Sequence, residues 1–329
     1  MRLQAVFDGK KYHNPVPTSL RPPSGYGQML KSWLLGKEER APQTTPGPFR
    51  ADAAALAAPV PAAALGVTWL GHSTVLLEID GRRILTDPVW AARVSPAKFM
   101  GPKRFFAPPL PLDKLPPLDA VILSHDHYDH LDETAIRALG RTGVPFFCPL
   151  GVGAHLRRWG VPAARITELN WWETAALGTD FTLVATPARH FSGRGLFDRD
   201  RTLWASWCLL GPHHKVFFGG DSGPFAEGFR QIGAAYGPFD LTMLEIGAHD
   251  AEWAAIHMGP TVALAAHRLL GGGPLLPLHW GTFNLAFHAW RAPVQELQAA
   301  AGAAVPLLLP APGQRVEVRS GPVDSGWWR

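Results

Sequence analysis

Cysteine is scarce: Cys148 and Cys208 are the only two in a chain of 329 residues. That count excludes a disulfide framework at this length. Both lie in apolar runs that read as strands, where a thiol behaves as a small buried hydrophobe. Long apolar runs are missing too. No stretch reaches the roughly 18 residues of a membrane-spanning helix, and the Ala-rich run from Ala53 to Leu65 is broken by Pro59 and Pro61. The opening stretch Met1 to Lys11 lacks the apolar centre of a secretion signal, so the expectation is a cytoplasmic protein. Charge of one sign is also lacking. Lys and Arg number 31 against 27 Asp and Glu, a net +4 with no dense basic stripe. That argues against a nucleic-acid partner, while a weakly basic face still suits anionic substrates or a membrane surface.

What the chain has is core material, 47% hydrophobic, enough for one large domain or two small ones. Residues 1–65 read as an N-terminal extension ending in a Pro/Ala-rich connector, and residues 66–329 as the main domain. In the extension, Tyr26, Met29, Leu30, Trp33 and Leu34 fall at helical spacing, with Lys31 and Lys37 alongside. Such a helix packs on the main domain or lies at a lipid interface, which would make the protein peripheral at the inner membrane face.

From Gly66 the texture changes to short apolar runs. Val67 to Leu70, Thr74 to Ile79 and Arg82 to Thr86 read as strands, the last two joined by the hairpin signal Asp80-Gly81. Further strands are expected at Ala120 to Leu123, Phe181 to Ala185, Leu203 to Leu209, Lys215 to Phe218, Leu241 to Leu244, Leu275 to Leu278 and Val305 to Leu309. Helical patterns cover Glu133 to Leu139, Ala154 to Trp159, Phe225 to Ile232, Thr261 to Leu270 and Ala289 to Ala300. This order suits an α/β protein with two sheets packed face to face and helices outside.

The central signal is Ser124-His125-Asp126-His127-Tyr128-Asp129-His130, directly after a buried strand. Four candidate ligands, His125, His127, Asp129 and His130, fall in six positions. Neutral imidazole nitrogen and carboxylate oxygen suit zinc, and burying four such groups unpaired would be costly. His190, Asp221 and His279 each follow a predicted strand, where a sheet places converging side chains rigidly.

These residues, as His125-x-His127-x-Asp129-His130 with His190, Asp221 and His279 downstream, resemble the metallo-β-lactamase-fold superfamily. Within it the chain is similar to N-acylphosphatidylethanolamine-hydrolysing phospholipase D and its bacterial relatives. The likeness rests on Asn14-Pro15, Trp69-Leu70-Gly71-His72-Ser73-Thr74, Leu85-Thr86-Asp87-Pro88 and Gly101-Pro102-Lys103-Arg104-Phe105. It extends through Leu169-Asn170-Trp171-Trp172-Glu173, Gly237-Pro238-Phe239-Asp240 and His279-Trp280-Gly281-Thr282-Phe283.

The resemblance implies a four-layer αβ/βα sandwich holding two divalent ions, zinc by default, with iron or manganese also accommodated. It assigns His125, His127 and His190 to one ion and Asp129, His130 and His279 to the other, with Asp221 bridging. Two ions about 3.5–4 Å apart lower the pKa of a shared water from 15.7 towards roughly 7. Asp129 would orient that nucleophile and shuttle its proton.

His257 resembles a pocket histidine that holds a phosphate oxygen or protonates a leaving group; a structural role is equally open. The acidic residues usual after the following proline are replaced here by Thr261 and Val262. His72 reads as structural, and Asp87 as a partner that orients a ligand histidine. His155, His213, His214 and His267 read as surface or packing residues, and Trp171 and Trp172 as core or wall. Lys103 and Arg104 form either an anionic head-group site or a solvated loop.

The implied activity is a phospholipase D-type phosphodiesterase acting on N-acylphosphatidylethanolamine-like phospholipids or another diester. A lactonase or carboxylic-ester hydrolase, sugar-phosphate lactonase-like, is the alternative, since the same centre polarises either group. Oligomeric state is left open.

Overall fold

The computed structural model describes residues 2–19, 24, 25, 27, 29, 31, 35–97 and 99–329. Tyr26, Leu30, Trp33 and Leu34, four of the five apolar positions of the expected amphipathic helix, lie outside these residues. The extension carries a two-residue ladder, β1 (Val6–Phe7) on β2 (Tyr12–His13), too short to leave an alternating pattern. Within the expected connector, Asp52 caps the short helix α1 (Ala53–Ala57), which buries Leu56.

The first sheet is built from β3 (Leu65–Gly71), β4 (Thr74–Ile79), β5 (Arg82–Thr86), β6 (Ala120–Ile122), β7 (Phe146–Pro149) and β8 (Ile166–Leu169). Strands β3 to β5 meander antiparallel, and β5 to β8 run parallel. The second sheet holds β9 (Thr174–Ala176), β10 (Thr182–Thr186), β11 (Ser206–Leu210), β12 (Lys215–Phe218), β13 (Leu241–Glu245) and β14 (Leu275–Leu278). It is antiparallel from β9 to β12 and parallel from β12 to β14. Near the C-terminus β15 (Leu308–Leu309) pairs with β17 (Val323–Asp324), while β16 (Arg315–Glu317) adds an edge to β3.

The period of two explains the layers. Along β4, Val75, Leu77 and Ile79 join the core shared with Leu183, Trp207 and Leu209 of the second sheet. Leu76 points the other way, into a cluster with Ile136 and Leu139 of α2 (Glu133–Leu139) and Leu156 of α3 (Gly153–Arg158). On the second sheet, Phe217 faces Phe229 of α4 (Ala226–Tyr236), with ring centroids 6.4 Å apart. Helices α5 (Pro260–Leu269) and α6 (Ala292–Ala301) complete that outer layer. Among the described residues no helix is long and apolar enough to cross a membrane.

Two sequence expectations shift. Leu203 to Ala205 does not pair as strand: Leu203 N–H donates to Leu150 O at 2.8 Å and Ala205 N–H to Ser124 O at 2.9 Å, so this run ties loops together instead. Strands β8, β9 and β16 are only three or four residues long and carry few large apolar side chains, which hid them from pattern reading.

Candidate metal centre

Each sheet ends its parallel strands at the same rim, and the chemistry is gathered there. Asp87 follows β5, His125 to His130 follow β6, Asp221 follows β12, Glu245 ends β13 and His279 follows β14. Strands β3 and β10 point the same way, so the turn at His72 and the loop at His190 reach this rim as well. Carboxyl ends of strands in an open α/β sheet are where backbone stops pairing and side chains converge.

All seven sequence-nominated ligands come together. His125 Nε2 stands 2.8 Å from His127 Nδ1, and His190 Nε2 stands 3.3 Å from that same nitrogen. Asp221 Oδ2 lies 3.2 Å from His130 Nε2, 3.1 Å from His279 Nε2, 3.7 Å from His190 Nε2 and 4.0 Å from His125 Nε2, central to both groups. Asp129 Oδ2 is 3.7 Å from His130 Nε2 and 3.3 Å from His279 Nε2. His72 joins this second group, its Nε2 3.0 Å from Asp129 Oδ2.

Outer hydrogen bonds aim the rings. His190 Nδ1 is 3.0 Å from Ile256 O, which makes Nδ1 the protonated nitrogen and leaves the Nε2 lone pair facing the cluster. His130 Nδ1 is 2.7 Å from Asp87 Oδ2, as expected of an orienting partner. Asn14 of the extension clamps the backbone of His190, donating to its carbonyl at 2.7 Å and accepting from its N–H at 3.2 Å.

Close loop packing requires glycine at several positions. A side chain at Gly220 would collide with Ser124, and one at Gly247 with the carbonyl of His279. His279 itself sits at φ 62 and His72 at φ 54, left-handed conformations that non-glycine residues occupy only under constraint.

The electrostatics divide the cluster. Burial, reinforced by neighbouring imidazoles, holds His125 and His190 well below the usual histidine range, so both present neutral lone pairs. Burial works against charge on His279 too, but Asp221 and Asp129 outweigh it and push that ring up to about 10. His130 is raised for the same reason. The carboxylates of Asp129 and Asp221 are drawn well below their usual range despite burial. The buried Asp221 and the partly exposed Asp129 thus demand positive charge between them. His130 Nε2, His279 Nε2 and Asp221 Oδ1 are buried without a hydrogen-bond partner. Orphaned donor atoms converging on one space, around His/Asp groups all within 4.8 Å, fit divalent ions.

Above the cluster opens a cleft of about 310 Å³. Its walls combine His127, Asp129, Asp221, His257 and His279 with apolar Phe191, Trp253, Ile256 and Leu285, and one cation, Arg199. His257 is held at Nδ1 by Glu245 Oε2 at 2.7 Å. Glu245 is buried and also accepts the backbone N–H groups of Ser222 and Met258. Neither Glu245 nor Arg199 stood out in the sequence: one ends an ordinary apolar strand and the other is one of several loop arginines.

Other histidines differ in environment. His155 Nε2 reaches Asp126 at 3.3 Å, His214 Nδ1 meets Asp80 at 2.6 Å, and His267 Nδ1 meets Thr242 Oγ1 at 2.8 Å, all packing roles. Arg104 is no solvated loop residue: its guanidinium is buried and donates to Val89 O and Ala91 O. Trp171 is core, its indole donating to Trp204 O at 2.7 Å.

With this geometry, residues 82–280 match the beta-lactamase superfamily domain, and the chain belongs to the metallo-β-lactamase superfamily as a metal-dependent hydrolase. Its relatives narrow the comparison. It is 39% identical over 231 residues to N-acyl-phosphatidylethanolamine-hydrolyzing phospholipase D 1 of Caenorhabditis elegans, covering 67% of this chain and 65% of that one. An uncharacterized protein of Mycobacterium tuberculosis is 52% identical over 294 residues, 88% of this chain and 76% of its own. Among solved structures, Igni18, a metallo hydrolase from Ignicoccus hospitalis, aligns with TM-score 0.59 and 26% identity over 77% of this chain and 97% of that one.

Proposed function

We propose that the chain is a phospholipase D-type phosphodiesterase acting on N-acylphosphatidylethanolamine-like phospholipids. The observation that carries this reading is the cleft itself, in which a His/Asp cluster, a cation and an apolar wall face one space. The relatives from Caenorhabditis elegans and Saccharomyces cerevisiae named for hydrolysing this lipid class support it, at 39% and 32% identity.

His125, His127 and His190 would hold one divalent ion, zinc by default, and Asp129, His130 and His279 a second, with Asp221 between. When bound, the ions polarise the phosphoryl oxygens and lower the pKa of water. Asp129, the partly exposed carboxylate of the cluster, takes the proton of the attacking water. The water oxygen bonds to phosphorus as the P–O bond to the N-acylethanolamine breaks. With Nδ1 engaged by Glu245, His257 has Nε2 left to protonate the departing oxygen. Arg199 offers its charge to the phosphate. The products are phosphatidic acid and an N-acylethanolamine.

A lipid surface is the partner this substrate requires. Leu196 and Phe197 are 91% and 85% exposed at the tip of the loop that carries Arg199 into the cleft. Phe99 and Met100 are 80% and 59% exposed on a second loop. That loop belongs to the stretch between Asp87 and Asp113, which has no acidic residue but carries Arg93, Lys98 and Lys103 besides the buried Arg104. Apolar tips flanked by cations suit an anionic bilayer.

The test is hydrolysis of N-acylphosphatidylethanolamine by metal-replete protein, with phosphatidic acid measured directly and Asp129→Asn as control. Phosphatidic acid from the unaltered chain alone supports the reading. Full metal occupancy without that product, together with lactone turnover, transfers the site to carboxylic-ester chemistry.

A further inference from the structure

Beside the cleft lies a second cavity, of about 290 Å³, walled by Pro224, Ala254, Met258, Pro260 and Val262. His257 belongs to the walls of both spaces. Because Glu245 pins Nδ1 of that ring, the shared wall is fixed. Gly259 shapes the same cavity: it sits at φ 34, and a Cβ there would fall 2.8 Å from the His249 ring, another wall residue. His249, Asp250, Thr261 and Glu296 also border it, but most of the surface that faces the space is apolar, and Val262 is left partly exposed on the first turn of α5.

An apolar cavity that adjoins a reactive cleft through one fixed side chain favours a ligand with an apolar limb over water. We infer that this cavity receives a hydrocarbon chain of the substrate while its reacting group lies in the neighbouring cleft, with His257 between them. The inference rests on the diester reading above. At ~30 Å³ per small group the cavity holds roughly ten carbons, so it selects for chain length up to about that limit. Val262 and Ala254 make it apolar from two different elements, α5 and the segment before His257.

The test is a series of alkyl 4-nitrophenyl phosphate diesters, ethyl to dodecyl, given to metal-replete protein. For the unaltered chain kcat/KM rises roughly two- to fourfold per methylene and levels off near ten carbons. Val262→Trp and Ala254→Trp, both at exposed positions that tolerate a larger side chain, flatten the rise. Rates independent of chain length in the unaltered protein, or a rise that persists in both variants, overturn the inference. If no diester turns over, the diester reading fails by itself, and the cavity is judged by titration calorimetry with dodecyl phosphate against ethyl phosphate. Tenfold tighter binding of the dodecyl ester, lost in both variants, sustains it; equal binding, or a preference both variants keep, overturns it.

Discussion

Nδ1 of His130 lies 2.7 Å from Oδ2 of Asp87, and neither side chain reaches solvent. Asp87 also accepts from the backbone N–H of Ser124 at 2.7 Å and from its hydroxyl at 2.5 Å. One buried carboxylate therefore fixes the His130 ring and the strand end that carries His125. Asp87→Asn keeps the volume and removes the charge. We expect metal affinity to fall roughly 10–100-fold with the fold intact, read by competition against a chelator. Unchanged affinity would show that Asp87 does not act through His130.

The Glu245–His257 pair gives a separate prediction. Burial raises the Glu245 carboxyl above its usual range, against the pull of His257. Glu245→Gln retains an acceptor for Ser222 and Met258 but weakens the hold on the imidazole. The expected result is a roughly 10²-fold loss in kcat with bound metal unchanged. A variant that loses metal in proportion to activity would place Glu245 in the ion cluster instead.

Acid sensitivity is expected from a histidine far from the cleft chemistry. Burial, with the nearby charge of Arg268, lowers His267 from 6.5 to about 4. Unfolding restores the ordinary pKa, so between about 6.5 and about 4 the unfolded chain takes up a proton that the folded chain refuses. The neutral ring's contribution is complete above that window and is lost as pH falls through it. His267→Gln should narrow the difference in Tm between pH 7.5 and pH 4.5. An undiminished difference would mean that other groups set the acid limb.

The exposed loop tips predict a surface effect. Leu196→Asp with Phe197→Asp removes two apolar groups that no protein contact requires. Cosedimentation with anionic vesicles should drop about tenfold or more, while turnover of a short water-soluble diester continues. Vesicle binding equal to that of the unaltered chain would rule these tips out as the contact.

Much of the metal centre was legible because its residues cluster locally. His125 to His130 span six positions after one apolar strand, and His190, Asp221 and His279 each follow a recognisable one. Burial of so much polar chemistry after apolar runs has few bland explanations. Glu245 and Arg199 left no such trace. Glu245 is a carboxylate at the end of an apolar strand, and only the approach of His257 from twelve residues away gives it a purpose. The doubt over His72 has the same origin. Its turn announced a tight reversal, whereas its 3.0 Å approach to Asp129 depends on β3 and β6 lying in one sheet with β4 and β5 between them.

The sequence by itself determined the periodic elements, the alternation that makes two-faced sheets, and the ligand types, because these follow from local spacing and side-chain chemistry. Only the tertiary structure decided which rim collects the ligands, which imidazoles stay neutral, and which glycines the loops need. Those properties depend on groups distant in the chain sharing a space from which water is excluded. There, a 3 Å approach outweighs any local preference.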